Sequence, residues 1–301
     1  MKNNINFRTD PIWINIDKPI GYSSAKTVAI VKRFTRAKKV GHGGTLDPFA
    51  SGCLPIALNK ATKTVNYVMN DKKKYFFTII WGEFRDTDDL EGRVEQTSEK
   101  RPINQEIISV LPRFLGKILQ TPSRFSAIKI DGSRAYELAR KNEDFEIKKR
   151  EIEIFSIKFL ENCQTHANFE VECSKGTYVR SLSRAICEEL KVCGYVSVLK
   201  RQKVGKFLIK NIISLEKLKR IVHNAVSFFD GELLSLQDVL DISKIEIDDL
   251  QSAKFKNGQI IEVKSELIES DLLGVVQVLN SGEIIGLGKL EQSSLKPINV
   301  F

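Results

Sequence analysis

Residues 40–55, VGHGGTLDPFASGCLP, hold four glycines, two prolines and one histidine around a single acidic residue, Asp47. A lone carboxylate on a stiff, glycine-rich segment can act as a nucleophile or a base. Pro48 pushes Asp47 out of the helical region, and the glycines let a ligand approach the backbone closely. Two other chemistries fit less well. A phosphate cradle needs Gly-Lys-Ser/Thr after the glycines, and none follows. A phosphorylated aspartate needs further carboxylates to hold Mg²⁺. Residues 86–92, DTDDLEG, could supply them, but as an EF-hand loop they place Leu90 where a ligand belongs and Glu91 where the glycine belongs. That segment reads better as a solvated turn than as a metal site. Spacing alone favours a tight turn in which Asp47 merely caps a helix.

A second cluster changes the balance. SKGTYVR places Lys175 and Arg180 at the start of a helical pattern, the unfavourable end for cations. Such residues call for anionic partners, either RNA phosphate or a buried carboxylate such as Asp47, for which an arginine would be the matching fork. The blander alternative is a surface arginine paired with an unrelated glutamate. The cysteines (Cys53, Cys163, Cys173, Cys187 and Cys193) are odd in number and have no paired spacing. They suggest neither a disulfide framework nor a zinc site. The histidines, His42, His166 and His223, are far apart.

The elements that must position these groups follow from periodicity. WINIDKPIGYSS reads as a strand, a turn and a helix cap at Ser23 or Ser24, followed by a helix with Val28, Val31 and Phe34 near one face. KYFFTIIWG reads as a strand with Tyr75, Phe77, Ile79 and Trp81 on one side, and Tyr75 alone could be just the end of that core stripe. In NFEVECSKGTYVRSLSRAICEEL, Phe169, Val171 and Cys173 alternate as a strand does, then Val179, Leu182, Ile186 and Leu190 keep helical spacing. After about Leu240 short β-runs alternate with Asn-Gly and Asn-Ser-Gly turns, the texture of a small separate unit.

The 301 residues fit one large domain plus a small one, and 42% hydrophobic residues suffice for a core. Lys and Arg number 47 against 38 Asp and Glu, a net charge of +9 that favours a polyanion such as nucleic acid. No apolar run approaches the roughly 20 residues of a membrane span. The start, MKNNINFRTD, has no apolar signal-peptide core. The expected location is the cytoplasm.

Taken in order from Trp13 to Phe301, these blocks resemble the TruB-type tRNA pseudouridine synthases. DKPIGYSS resembles the family's Lys-Pro motif and GHGGTLDPFASGCLPIALNKATK its aspartate motif. KKKYFFTIIWGEFRDTDDLEG resembles its tyrosine strand and acidic turn, and QTPSRFSAIKIDGSRAYELAR its RNA-gripping insertion. CSKGTYVRSLSRAI and LKRQKVGKF resemble its arginine and leucine motifs, and the tail its PUA-like domain.

The resemblance implies an α+β fold with a mixed, mostly antiparallel sheet. It implies a catalytic domain over 1–245, with the insertion at about 120–150, and a PUA-like β domain over 246–301. The implied reaction converts uridine 55 of the tRNA T-loop to pseudouridine by base flipping. Asp47 is then the catalytic aspartate, Tyr75 stacks on the flipped uracil and Arg180 pairs with Asp47. Leu199 packs against the base, His42 enters the T-loop, and Lys18 supports the surrounding motif. Gly44, Lys175 and Tyr178 are further expected substrate contacts. Gly43 stands where the family usually has Thr, Ser123 where it usually has a second Pro, and Ala185 where Asp is common. No metal or cofactor is expected, nor an obligatory protein partner. The expected assembly is a monomer that binds the T-arm of tRNA. The competing readings are a non-catalytic RNA-binding module, a magnesium-dependent phosphotransferase using Asp47, and a guide-RNA-dependent relative of the dyskerin type.

Overall fold

The computed structural model describes residues 5–126, 128–130, 132–141, 143–223, 227–228, 231–263 and 273–301. Strand β1 (Trp13–Lys18) leads into helix α1 (Ser24–Thr35), where the Ser23 side chain caps by accepting the Lys26 N–H. Strands β2 (Val40–His42) and β3 (Ser51–Leu58) flank the Asp47 loop, and the short helix α2 (Val65–Asn70) follows. Strand β4 (Lys73–Trp81) buries Tyr75, Phe77, Ile79 and Trp81, as its period of two requires.

Strands β5 (Glu83–Arg85) and β6 (Val94–Thr97) pair around the acidic turn. Helix α3 (Asn104–Val110) precedes strand β7 (Gly116–Gln120). The expected insertion contains the hairpin β8 (Lys129–Ile130) and β9 (Ser133–Arg134) and helix α4 (Ala135–Arg140). Its residues 127, 131 and 142 lie outside the described residues. Strands β10 (Arg150–Asn162) and β11 (His166–Cys173) form a long antiparallel pair. Helix α5 (Val179–Leu190) then buries Val179, Leu182, Ile186 and Leu190.

Strand β12 (Gly194–Val204) carries Leu199 into the sheet beside Phe77. Strand β13 (Phe207–Leu208), helix α6 (Leu215–Val222), strand β14 (Leu233–Leu234) and helix α7 (Leu236–Val239) complete the first layer. The order along the main sheet is β14-β1-β3-β12-β4-β11-β10-β7, with β13 and β2 paired off that path. Every pairing is antiparallel except β3 with β12. One buried cluster joins the sheet to α5 and the Asp47 loop, with Leu46, Phe49, Ala50, Tyr75, Val179 and Leu199 among its members. The rings of Phe77 and Phe169 stack in it at 5.2 Å.

The last third departs from the β-only texture of its sequence. Strand β15 (Lys244–Glu246) is followed by helix α8 (Asp249–Lys256), capped by Asp248, then β16 (Ile261–Glu262), β17 (Gly274–Asn280), β18 (Glu283–Glu291) and β19 (Ser294–Val300). The capping box between Asp248 and Gln251 makes α8 possible in a segment whose turn residues suggested only strands. The five strands form one curled sheet in the order β15-β17-β18-β19-β16. Ile284 and Phe301 from this sheet pack against the buried group of Trp13, Val204, Phe207 and Leu236. The architecture is α+β, with a mixed, mostly antiparallel sheet and a PUA-like C-terminal sheet.

Candidate active site

The Asp47 loop is held from behind by cations that bond its backbone. The Arg201 guanidinium donates to Cys53 O at 2.8 Å, Gly44 O at 2.9 Å and Thr45 O at 3.2 Å. These acceptors bracket Asp47 on both sides. Lys18 is fully buried and donates to the carbonyls of Tyr22, Pro19 and Pro48. Burial pulls its pKa down to about 8, against the pull of Asp47, so the ammonium form still dominates at neutral pH. Ser24 closes the set: its hydroxyl accepts the Leu46 N–H and donates to Leu46 O. Gly52, at φ +96, lets β3 approach β12; a Cβ there would stand 2.3 Å from Arg201 O.

So held, Asp47 meets Arg180 across a two-point contact. Arg180 donates from Nε to Oδ2 at 2.9 Å and from Nη2 to Oδ1 at 3.1 Å. The arginine side chain is 3% exposed and the carboxylate 28%, so the pair opens outward on its acidic side. Arg180 is held by further acceptors: Thr87 O at 2.8 Å, Phe125 O at 3.1 Å, Ser123 Oγ at 3.4 Å and Asp89 Oδ2 at 3.2 Å. Every nitrogen of the fork is engaged, and the cation expected to need an anion at a helix start has two. Ser123 takes part as a hydroxyl acceptor where a proline could not.

The acidic turn is only in part the solvated turn that its sequence suggested: Leu90 and Glu91 are exposed. Asp88 and Asp89 are buried. Asp89 also accepts the Thr87 hydroxyl and the Glu91 N–H. Asp88 turns to Arg184 at 2.9 Å. Four acids in seven residues read as surface, but two arginines four apart on α5 supply the counter-charge that permits burial. The pattern RSLSR was the signal available. Arg201 was missed for a similar reason. It sits in a lysine-rich stretch, yet it is in phase with the inward-facing Leu199 on β12.

Asp47, Arg180 and His42 line a cavity of about 960 Å³, with Phe125, Arg134 and Tyr136 from the insertion on its other side. His42 Nδ1 accepts the Gly44 N–H at 3.3 Å. Burial, then Arg201, lowers its pKa, so the neutral ring presents Nε2–H as donor. Tyr75 is not in the lining. It lies in the buried cluster with Leu46, paired in register between Val171 and Arg201, and burial raises its pKa. Leu199 is buried in the same cluster.

Lys175 and Tyr178 stand apart from the cavity lining. Lys175 is exposed and donates to the amide oxygen of Asn70. The Tyr178 backbone exchanges two bonds with the Gln120 side-chain amide, and its ring lies under the Arg150 guanidinium at 4.6 Å. Gly44, at φ +129, turns its carbonyl to Arg201. Gly43 keeps its N–H on Pro55 O, and a Cβ there would strike Val68 at 2.5 Å. Ala185 packs against the core. Among the described residues no group of three or more His, Cys, Asp or Glu is placed to hold a metal ion. No helix among them is long and apolar enough to cross a membrane.

A family model described as TruB family pseudouridylate synthase, N-terminal domain, matches residues 32–179. The tRNA pseudouridine synthase B of Bradyrhizobium diazoefficiens is 42% identical over 297 residues, covering 96% of this chain and 85% of that one. The protein of the same name from Ehrlichia chaffeensis is 39% identical over 293 residues, covering 96% of this chain and 98% of that one. A solved archaeal box H/ACA Nop10–Cbf5 complex shares the fold, with a TM-score of 0.73 at 23% identity, covering 99% of this chain and 88% of that one. With this identity over nearly its whole length, the chain belongs to the TruB family of pseudouridylate synthases.

Proposed function

We propose that this chain isomerises uridine 55 in the T-loop of tRNA to pseudouridine. The observation that carries the reading is the Asp47–Arg180 pair, a carboxylate fixed by a two-point fork and left open on the side of a large cavity. Membership of the family and the name shared by its relatives support the same reaction.

The reaction breaks the N1–C1′ glycosidic bond, rotates the uracil and forms a C5–C1′ bond. A proton leaves C5 and one is gained at N1, so no atom is gained or lost and no oxidant is consumed. Asp47 is the reactive carboxylate, and Arg180 fixes its direction. For Tyr75 to stack on the extruded base and Leu199 to pack against it, the base must enter beyond the present lining, toward the buried cluster that holds both. His42 takes the place in the T-loop that the base has left. Extruding a base costs a few kcal/mol of unstacking. Contacts from Arg93, Arg134 and Arg140 on the cavity rim to phosphates would offset that cost. Gly44, Lys175 and Tyr178 supply further contacts to the tRNA, and Lys18 supports the loop that carries Asp47. The chain works as a monomer in the cytoplasm without a protein partner.

The test is direct. Purified protein is incubated with an unmodified tRNA transcript in EDTA, and pseudouridine is mapped. Formation at uridine 55 alone is expected. No pseudouridine, or a divalent-ion requirement with a stem-loop that folds without Mg²⁺, overturns the reading.

A further inference from the structure

Helix α5 carries two arginines one turn apart, and each grips one of two adjacent aspartates. Arg180 meets Asp89 at 3.2 Å and Arg184 meets Asp88 at 2.9 Å. Neither Asp88 nor Arg184 lines the cavity, whereas their neighbours Thr87, Asp89 and Arg180 do. Apart from the two arginines of α5, the turn is tied to β12 through the Asp89–Val196 bridge and the Val196 N–H to Asp88 O, and to β5 and β6 through the Asp88 N–H to Arg85 O, the Arg85 side chain to Leu90 O and the Asp86–Arg93 bonds. Asp88 takes φ +59, a left-handed conformation that a non-glycine residue keeps only when its surroundings impose it. Arg184 is itself anchored. It stacks over Phe84 at 4.5 Å and reaches Glu95 and Glu188.

We infer that Arg184 is a positioning residue, whose grip on Asp88 holds the acidic turn at the depth where Thr87 and Asp89 engage Arg180 and thereby aim Asp47. The inference rests on the reading that Asp47 is the reactive carboxylate. The chain of contacts runs Glu95/Glu188–Arg184–Asp88, across one peptide to Asp89, then Arg180 and Asp47. Such a relay moves as a unit, because the buried carboxylates of Asp88 and Asp89 have few intermediate positions.

The groups facing Asp88 are Arg184, Arg180 and Cys187 from α5 and Glu95 from β6. Burial, only partly offset by Arg184 and Arg180, raises the Asp88 pKa to about 6. Protonation removes the charge that Arg184 grips, so turnover falls as pH drops through about 6. Stability moves the other way. With a native pKa above its ordinary 3.8, Asp88 binds its proton more tightly in the folded state. Its ionised form costs stability above pH 6, and that cost is relieved as pH falls toward 3.8. Activity and this contribution to stability therefore part company on acidification, which a purely structural ion pair would not produce.

The experiment uses the full chain with Arg184→Met, which keeps the stem on Phe84, and Asp88→Asn, which suits the left-handed backbone and cannot titrate. At pH 7.5, well below each variant's melting temperature, Arg184→Met lowers kcat on a tRNA transcript about tenfold, with KM within about twofold. Asp88→Asn removes the acid limb near pH 6, and the double variant is no slower than Arg184→Met alone. Wild-type kcat in Arg184→Met, a loss lying wholly in KM, or an unchanged acid limb in Asp88→Asn overturns the inference. If the wild-type chain forms no pseudouridine, the functional reading fails by itself. Hydrogen exchange then decides the positioning role: Arg184→Met must raise exchange across residues 86–92 while α5 stays protected, and unchanged exchange sinks it.

Discussion

Asp47 owes its aim to a partner that cannot move. Arg180 is buried and spends its donors on Asp47, Asp89, Thr87, Phe125 and Ser123. Lysine offers a compact ammonium with no fork, so it cannot span both Asp47 oxygens and still reach the acidic turn. Arg180→Lys should lower turnover at least about a hundredfold, the scale of losing a preorganised electrostatic contact. Single-turnover assays read this directly, and a fully active Lys variant would make Arg180 a general phosphate contact. Asp47→Asn keeps the shape but offers no nucleophile or base, and it turns one N–H toward an arginine N–H. Turnover should vanish while tRNA affinity stays within about threefold, because phosphate contacts dominate binding. Turnover by a sample shown free of deamidation would sink that role. Asp47 stood out in the sequence as the only acid in a glycine-rich run. Asp89 and Arg201 did not, since each lies among like charges, and the groups that allow their burial, Arg180 and the backbone of the Asp47 loop, are distant in sequence.

Strand β4 and helix α5 were legible because their apolar periods were unbroken: Tyr75 to Trp81 at every second residue, Val179 to Leu190 on a helical face. Helix α8 was hidden, since its turn depends on a capping box in a stretch rich in turn residues. The approach of β3 to β12 was also hidden, because a parallel contact leaves no local mark. It nonetheless seats the loop. Gly52 combines φ +96 with a backbone oxygen 2.3 Å from where a Cβ would stand. Gly52→Ala must push β3 from β12 and pull Cys53 O off Arg201. A loss of about 2–4 kcal/mol is expected from strain and displaced packing together. Urea unfolding checks the magnitude. Activity of the folded fraction should fall as well, whereas full activity would mean that Arg201 holds the loop without that approach.

At the scale of the whole molecule, the question is what the C-terminal sheet does. Its β-texture after Leu240 suggested a small separate unit, and its lysines Lys254, Lys256, Lys289 and Lys296 are candidates to touch tRNA phosphates. All four lysines are exposed. Lys289 and Lys296 are cross-strand partners, and Lys289 also pairs with Glu291. Yet the sheet is not free of the rest. Strand β15 begins at Lys244, Ile284 and Phe301 pack on the Trp13 cluster, and Lys63 donates to Val300 O at 2.7 Å. Deleting residues 248–301 would strip β15 of its partner β17 and bare that cluster, so aggregation of the truncated chain is the expected result. Replacing the four lysines by glutamine tests RNA binding without that damage. If they touch phosphates, tRNA affinity falls while turnover at saturation holds. The log–log slope of affinity against salt then flattens by roughly 0.7–0.9 for each phosphate no longer neutralised. Lys254 and Lys256 on α8 and the Lys289–Lys296 pair should be changed separately, since they occupy different elements. Unchanged slope and affinity in both sets would leave the sheet the role its apolar packing already shows, a cover for the Trp13 cluster.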